Sequence, residues 1–274
     1  PALLGVGVAQ LSLLINTQIA SYLPPGSVSW LSYSDRLMEF PTALLGVALG
    51  VVLMPQLAAA RGADDAQRYS AMIDWGLRLV LLFALPCAVA LLVFSRPLVE
   101  TLFHYGRFSA HDAQQVTRSL MGYGLGLLGL VAIKVLAPAY FAKGDMKTPV
   151  KIAVVVLIFT QILNYLLVPH LQHAALTLSI SLGALLNATW LLTGLVRKGG
   201  YSPQPGWGKA IAQIVLATAV LGAGLWGVQQ YIDWGSLHAA WRIAYLLGTM
   251  AAVGAAYFAM LALLGFPVRQ MMRR

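Results

Sequence analysis

What this chain has least of is charge. Asp, Glu, Lys and Arg make up 10% of 274 residues, against 59% hydrophobic residues and a mean hydropathy of +0.76. A soluble domain carries roughly a quarter charged residues, so a water-covered globule of this length is excluded. The chain must be solvated by lipid. Acid is scarcer still: 9 Asp and Glu face 18 Lys and Arg, for a net charge of +9. The basic residues are dealt out between apolar runs and form no continuous stripe, which argues against nucleic acid as a partner. There is a single cysteine, Cys87, inside the run LLFALPCAVALLVF. No disulfide framework within the chain follows from it, and it reads as a small buried hydrophobe. The opening PALLGVGVAQ lacks an initiator Met and a basic n-region, so it reads as a chain entered in mid-protein and not as a signal peptide.

What is present is long apolar runs. A bilayer core takes about 20 mostly apolar residues per helix, each run ending at turn residues or charges. Eight runs qualify, near 2–23, 28–58, 73–95, 116–142, 149–168, 174–196, 210–231 and 240–264. Turn chemistry separates them at Pro24-Pro25-Gly26, at 61–65, at Lys143-Gly144-Asp145 and at 199–203. The runs are too long for barrel strands and do not alternate. The expected fold is all-α: a polytopic integral membrane bundle of eight transmembrane helices. The connection 96–117 is expected to form a short helix along the outer surface, and the Gly- and Pro-rich stretch 197–209 to divide six spans from a final pair.

Basic residues set the orientation. Eleven of them (Arg61, Arg68, Lys143, Lys147, Lys151, Arg197, Lys198, Lys209, Arg269, Arg273 and Arg274) fall in the connections of one side. Four (Arg96, Arg107, Arg118 and Arg242) fall on the other. The richer side is expected to face the cytoplasm, with both ends of the segment inside. The five histidines fall in or beside the outer loops, scattered without metal-ligand spacing, and read as solvated or interfacial.

Several apparent chemical motifs dissolve on inspection. Gly124-x-Gly126-x-x-Gly129 and Gly222-x-Gly224-x-x-Gly227 match the dinucleotide fingerprint, but both lie mid-span with no strand before them. Small residues there, like Gly46 and Gly50, let membrane helices approach closely. Asp64-Asp65 has no second acidic pair to complete a metal site and reads as a solvated helix cap. With neither a P-loop nor a nucleophile–base pair, catalysis has little support in the sequence.

The second span is the informative one. In SWLSYSDRLMEFPT (29–42) three charges fall within five residues, and each costs about 3 kcal/mol on insertion scales. At 100° per residue, Ser32, Asp35, Arg36 and Glu39 share an arc of roughly 100°. Two readings are open. The face is a self-compensated cluster, Arg36 pairing with Glu39 at i+3; or it lines a wet cavity, Arg36 presenting a bidentate fork to a phosphate or carboxylate. The second is preferred. Pro41 follows directly and is expected to kink the helix as a hinge. Lys134, in the fourth span, is a second basic residue at depth, with Pro138 near it, and is given a cavity role. Asn16, Gln161, Asn164 and Asn187 read as interhelical hydrogen-bond partners.

At these residues the chain resembles a known family. SYSDRLMEFPTALLGVALGVVLMPQLA (32–58), LFHYGRFSAHD (102–112) and AYFAKGDMKTPVKIA (139–153) are similar to the MurJ/MviN family of bacterial lipid II flippases, in the multidrug/oligosaccharidyl-lipid/polysaccharide exporter superfamily. The likeness runs over all 274 residues and corresponds to the seventh to fourteenth transmembrane helices of a family member. It implies a C-terminal six-helix lobe (1–197), a cytoplasmic linker (198–209), a terminal helix pair (210–264) whose groove takes the lipid tail, and a basic cytoplasmic tail (265–274). It implies a protein of the bacterial inner membrane, flipping lipid II between leaflets by alternating access, with an N-terminal lobe and membrane lipids as partners. Arg36 matches an arginine of the family's central cationic cavity, whose lining Glu39 and Lys134 share. Some members hold a monovalent cation in this lobe with carboxylate ligands. Here the matching positions offer Asn16 and Asn164; no other cofactor is implied.

The physics of the task agrees with that reading. A pyrophosphate crossing about 30 Å of hydrocarbon needs positive charge along a wet path, while its polyprenyl tail stays in lipid. Arg36 is expected to bind the pyrophosphate, with Glu39 and Asp35 holding it ready. The alternatives are a related exporter of another polyprenyl-linked oligosaccharide or of drugs, a membrane enzyme acting on a polyprenyl phosphate, and a scaffold that moves no lipid.

Overall fold

The computed structural model describes residues 2–268 and Met271. Nine helices run through them: α1 (Ala2–Ser21), α2 (Ser27–Gly62), α3 (Ala66–Val93), α4 (Ser95–Phe103), α5 (Ala110–Ala142), α6 (Lys147–Leu171), α7 (His173–Arg197), α8 (Trp207–Tyr231) and α9 (Ala239–Leu263). Seven of them, α2, α3 and α5 to α9, are long and apolar enough to cross a membrane. The eighth expected span falls on α1, whose 20 residues include Gln10, Asn16, Thr17 and Gln18 and which is not among those seven. Arg269, Arg273 and Arg274 of the expected basic tail lie outside the described residues.

Two spans begin earlier than their hydropathy suggests, because capping side chains extend them. Ser109 caps α5: its hydroxyl accepts from the Asp112 amide at 3.1 Å, while the Asp112 carboxylate accepts from the Ser109 amide at 2.8 Å. Residues 110–115, assigned from the sequence to a surface connection, are therefore the first turns of α5. The surface helix is only α4, nine residues long. Asp65 caps α3, accepting from the Arg68 amide at 2.9 Å. Asp64 beside it is paired with Arg61 at 3.5 Å, and both are exposed. This is the solvated cap expected of the acidic pair.

Helix α5 is the centre of the bundle, packed against α2, α3 and α7 and more buried than any other span. Hydrocarbon tails are as apolar as leucine, so burial of apolar area does not drive these contacts; close backbone approach does. A Cβ on Gly126 would collide with the Ser181 Cα, and one on Gly129 would stand 2.8 Å from the Ala184 carbonyl carbon. Gly124 turns to α3, where its Cβ would lie 2.9 Å from Leu92. The first apparent dinucleotide motif is thus a packing seam. The second is weaker: Gly222 meets Val89 at 2.9 Å, while Gly227 faces open space, as Gly50 does.

The α8–α9 pair is fastened to the rest at both ends. At one end the carboxylate of Asp74 on α3 gathers the linker after α7. Its Oδ1 accepts from the Tyr201 hydroxyl at 2.7 Å, the Gln204 amide at 3.1 Å and the Trp207 indole at 2.6 Å. Its Oδ2 is bound by Arg78 Nε at 2.7 Å, and Arg78 reaches on to the Pro205 carbonyl at 3.1 Å. Burial, and then the bond to Asp74, hold the Tyr201 phenol above its usual range. At the other end, the end that carries α4, Arg242 of α9 is buried and caged by four carbonyls: Glu100 and His104 at 3.1 Å, Leu237 and Gly235 at 2.8 Å. The sequence counts Arg242 only as one of four basic residues on this side; its burial and its partners come from the structure. Between the two clasps the Tyr257 hydroxyl donates to the Leu82 carbonyl at 2.6 Å.

Two outcomes follow. Gly126→Val forces α5 and α7 apart and is expected to cost about 1–3 kcal/mol, seen as a lower unfolding midpoint of the purified protein, whereas Gly227→Ala leaves it unchanged. Asp74→Ala strands Arg78, a loss of about 3 kcal/mol for a broken buried pair. Limited proteolysis should then cut the 198–206 linker faster; an unchanged cutting rate means the clasp does not hold it.

Candidate functional site

The charges of α2 do not behave as one group. Ser32, Arg36 and Glu39 are exposed on the helix surface, and among the described residues none of Arg36, Glu39 and Lys134 enters an ion pair. Asp35 turns elsewhere: its carboxylate takes the hydroxyl of Tyr123 on α5, and it borders a cavity of about 300 Å³ shared with Asn16, Thr17 and Ser32. The expected bracing of Arg36 by Glu39 and Asp35 is therefore not formed. The physical reason is direction: Asp35 faces the packed α2–α5 interface, where the buried Tyr123 hydroxyl reaches it, while Arg36, about 100° further round the helix, is exposed. The Ser32 hydroxyl is spent on the Val28 carbonyl, 2.9 Å away.

Lys134 is exposed on α5, and its side-chain stem crosses α2 at Gly46, where an added Cβ would stand 2.9 Å from Lys134 Cγ. Gly46 thus makes room for the lysine. At 1.5 Å rise per residue, the ten residues from Arg36 to Gly46 put Lys134 about 15 Å along α2 from Arg36. The two free cations stand at different depths. Pro41, between them, is buried within an α2 that runs continuously from 27 to 62. Lacking an N–H, it leaves the Leu37 carbonyl without its helical donor; Thr42 meanwhile donates its hydroxyl to the Met38 carbonyl at 2.8 Å.

Asn16 and Asn164 do meet. Asn164 Nδ2, deep in the α1–α6 contact, donates to Asn16 Oδ1 at 2.9 Å and to Gln161 Oε1 at 3.2 Å. The set is three neutral amides with no carboxylate; the Asn16 oxygen accepts one hydrogen bond, and the buried Asn164 Oδ1 has no partner among the described residues. These residues form a helix-to-helix clasp and lack the carboxylate that the family resemblance implies for a cation site. The histidines are less scattered than their spacing suggests: His111 and His173 flank Trp30, with ring centroids 5.6 and 5.0 Å away, and His173 is buried, not solvated.

Residues 1–245 match the model of a protein family described as lipid II flippase MurJ. The chain belongs to that family. Its relatives include a lipid II flippase MurJ from Burkholderia cenocepacia, 50% identical over 276 residues that cover 100% of this chain and 54% of the relative. A probable lipid II flippase MurJ from Vibrio cholerae is 35% identical, covering 99% of this chain and 52% of the relative. The chain spans about half the length of the curated relatives it matches. Among solved structures, a lipid II flippase MurJ in an inward closed conformation matches with a TM-score of 0.77 at 18% identity, over 98% of this chain and 53% of that one. An outward-facing multidrug resistance MATE family transporter of the MOP superfamily matches at 0.61 and 16% identity, over 96% and 62%. At these identities the two structures establish the fold alone, the membrane bundle expected from the sequence.

Within this family fold, the charged residues that sequence reasoning passed over are Asp74 and Arg78. They fall at i and i+4 at the start of the third hydrophobic run, a visible signal for a paired polar site. Their real partners, Tyr201, Gln204 and Trp207, lie about 130 residues away, so the clasp itself was not legible from local spacing.

Proposed function

We propose that this chain is the C-terminal half of a flippase that moves lipid II across the bacterial cytoplasmic membrane. Arg36 and Lys134 serve the passage of its pyrophosphate. The supporting observation is that both cations lie within spans and, among the described residues, are exposed and without an ion pair, as Glu39 is. A cation so placed in lipid is costly, and the cost is relieved where its surface is wet and meets an anion. Two such cations about 15 Å apart along α2 offer successive stations to a doubly charged headgroup. Glu39, exposed one turn from Arg36, keeps that station from binding its anion too tightly to release it. Ser32 lies on the same wall. Asp35, held by Tyr123, fixes α2 against α5 so that Arg36 is presented at a constant height.

The N-terminal lobe supplies the opposite wall. Opening at alternate ends needs the two lobes to rock about the site, with Pro41 as the yielding point of α2. The eight described basic residues of the linker end orient that end to the cytoplasm. The α8–α9 pair, clasped at both ends, travels with its lobe and guides the polyprenyl tail. Likeness to a MATE transporter in fold does not by itself favour drugs as the cargo.

Full-length protein in cells that depend on it provides the test, read as the fraction of lipid-linked precursor accessible from outside. Arg36→Ala is expected to slow translocation about tenfold, the equivalent of one charge-assisted hydrogen bond, and Arg36→Lys to recover part of it. Lys134→Ala should act in the same direction. Unchanged accessibility in Arg36→Ala at matched expression sinks the assignment.

A further inference from the structure

Away from the wall that carries Arg36, the end of the bundle bearing α4 contains a second cationic recess. It is a cleft of about 550 Å³ between the end of α3, the first turns of α5 and the α6–α7 corner. Its walls are apolar: Leu92 from α3, Met121 and Leu125 from α5, Leu178 from α7. Met121 and Leu125 are 42% and 49% exposed, so the cleft opens sideways toward hydrocarbon. Set into it are Arg118, His170 and His173, and no carboxylate lines it. Among the described residues Arg118 makes no ion pair and no hydrogen bond. The nearest acid along α5, Asp112, is already committed to Ser109 and to the Trp30 indole at 2.8 Å. His173 is buried; its Nε2 lies 3.2 Å from the Gln115 carbonyl and its Nδ1 has no partner in the protein.

An unmatched guanidinium beside two imidazoles calls for an anion, and the apolar walls call for a chain attached to it. We propose that this cleft binds the phosphate of a membrane lipid, with Arg118 as its principal ligand and His170 as a second donor, the lipid's tail lying over Met121 and Leu125. Arginine suits the role because its planar fork meets two phosphate oxygens at once. The proposal stands on the cleft and its charges alone; that the lipid belongs to the outer leaflet rests on the orientation given under the proposed function. Two lipids share the chemistry: a glycerophospholipid, and a polyprenyl phosphate of the class the protein carries.

Full-length protein, delipidated in neutral detergent, is offered phosphatidylglycerol, undecaprenyl phosphate or phosphatidylcholine, and bound lipid is counted by native mass spectrometry. The wild type is expected to retain at least one of the two anionic lipids in preference to phosphatidylcholine. Arg118→Ala should lower that retention about fivefold, the contribution of one basic residue at a lipid surface, and Arg118→Lys should restore part of it. Arg107→Ala, an exposed cation outside the cleft, should change nothing. A fall for phosphatidylglycerol alone assigns the site to bulk lipid, a fall for undecaprenyl phosphate alone assigns it to the carried class, and a fall for both assigns it to the shared phosphate. No fall for either, an equal fall in Arg107→Ala, or wild-type retention of phosphatidylcholine to the same degree overturns the proposal. Because no transport is read, that failure leaves the function proposed for Arg36 untouched.

Discussion

The constraint on which the rest of this structure depends is that charge in hydrocarbon must be matched within the protein or face water. The chain meets it in two different ways. Asp74 and Arg78 are matched completely, by each other and by three donors from the linker. Arg242 is matched by four carbonyls, and Asp35 by one phenol. Asp74, Arg78 and Arg242 hold segments together, while Asp35 keeps acceptor capacity on the cavity it borders. Arg36, Glu39 and Lys134 are left without an ion pair on the surface among the described residues. The proposed function rests on that difference.

Rigidity is what makes that face useful, and in lipid it has to come from contact geometry. The seam of Gly126 and Gly129 brings α5 to the backbone of α7, while the same helix presents Tyr123 to Asp35 and Lys134 to Gly46. A single helix therefore sets the height of both cations. Any loosening of α5 against α7 would reach Arg36 and Lys134 through α2 and α5, although neither glycine touches them. The clasps on α8–α9 extend the same logic outward, since they tie that pair to α3 at one end and to α4 at the other.

Much of this was legible in the sequence. The hydrophobic runs give the spans because a bilayer leaves a chain few ways to satisfy its backbone, and the polar arc on α2 gives the wall because 100° per residue is enforced by the helix. What was not legible is pairing across distance. Periodicity put Asp35 beside Arg36, but could not show that Tyr123, 88 residues on, would claim it. Hydropathy put Arg242 at the start of the last run, but could not show whether its guanidinium would be satisfied by carbonyls or by water. The early start of α5 was written in Ser109 and Asp112, but the polar first turns lowered the local hydropathy and hid it.

The staggered depth of the two cations bears on how a highly charged headgroup can cross at all. A single strong site at mid-membrane lowers the energy of the bound state as much as that of the passage, and so slows release. Two weaker sites about 15 Å apart spread the same compensation along the path, each exposed and each within reach of competing water. Glu39 beside Arg36 weakens that station, and Lys134, a compact and strongly hydrated charge on a flexible stem, holds its anion less firmly than an arginine fork does. With the linker end toward the cytoplasm as proposed, Lys134 is the nearer of the two to that side, so an anion moving outward meets the looser station first and Arg36 second. A direction of travel built into local affinity must still be overcome or assisted by lobe motion. For that reason Pro41 has its natural place between the cations: a helix that yields there changes the distance from one station to the other while leaving each seated on α5.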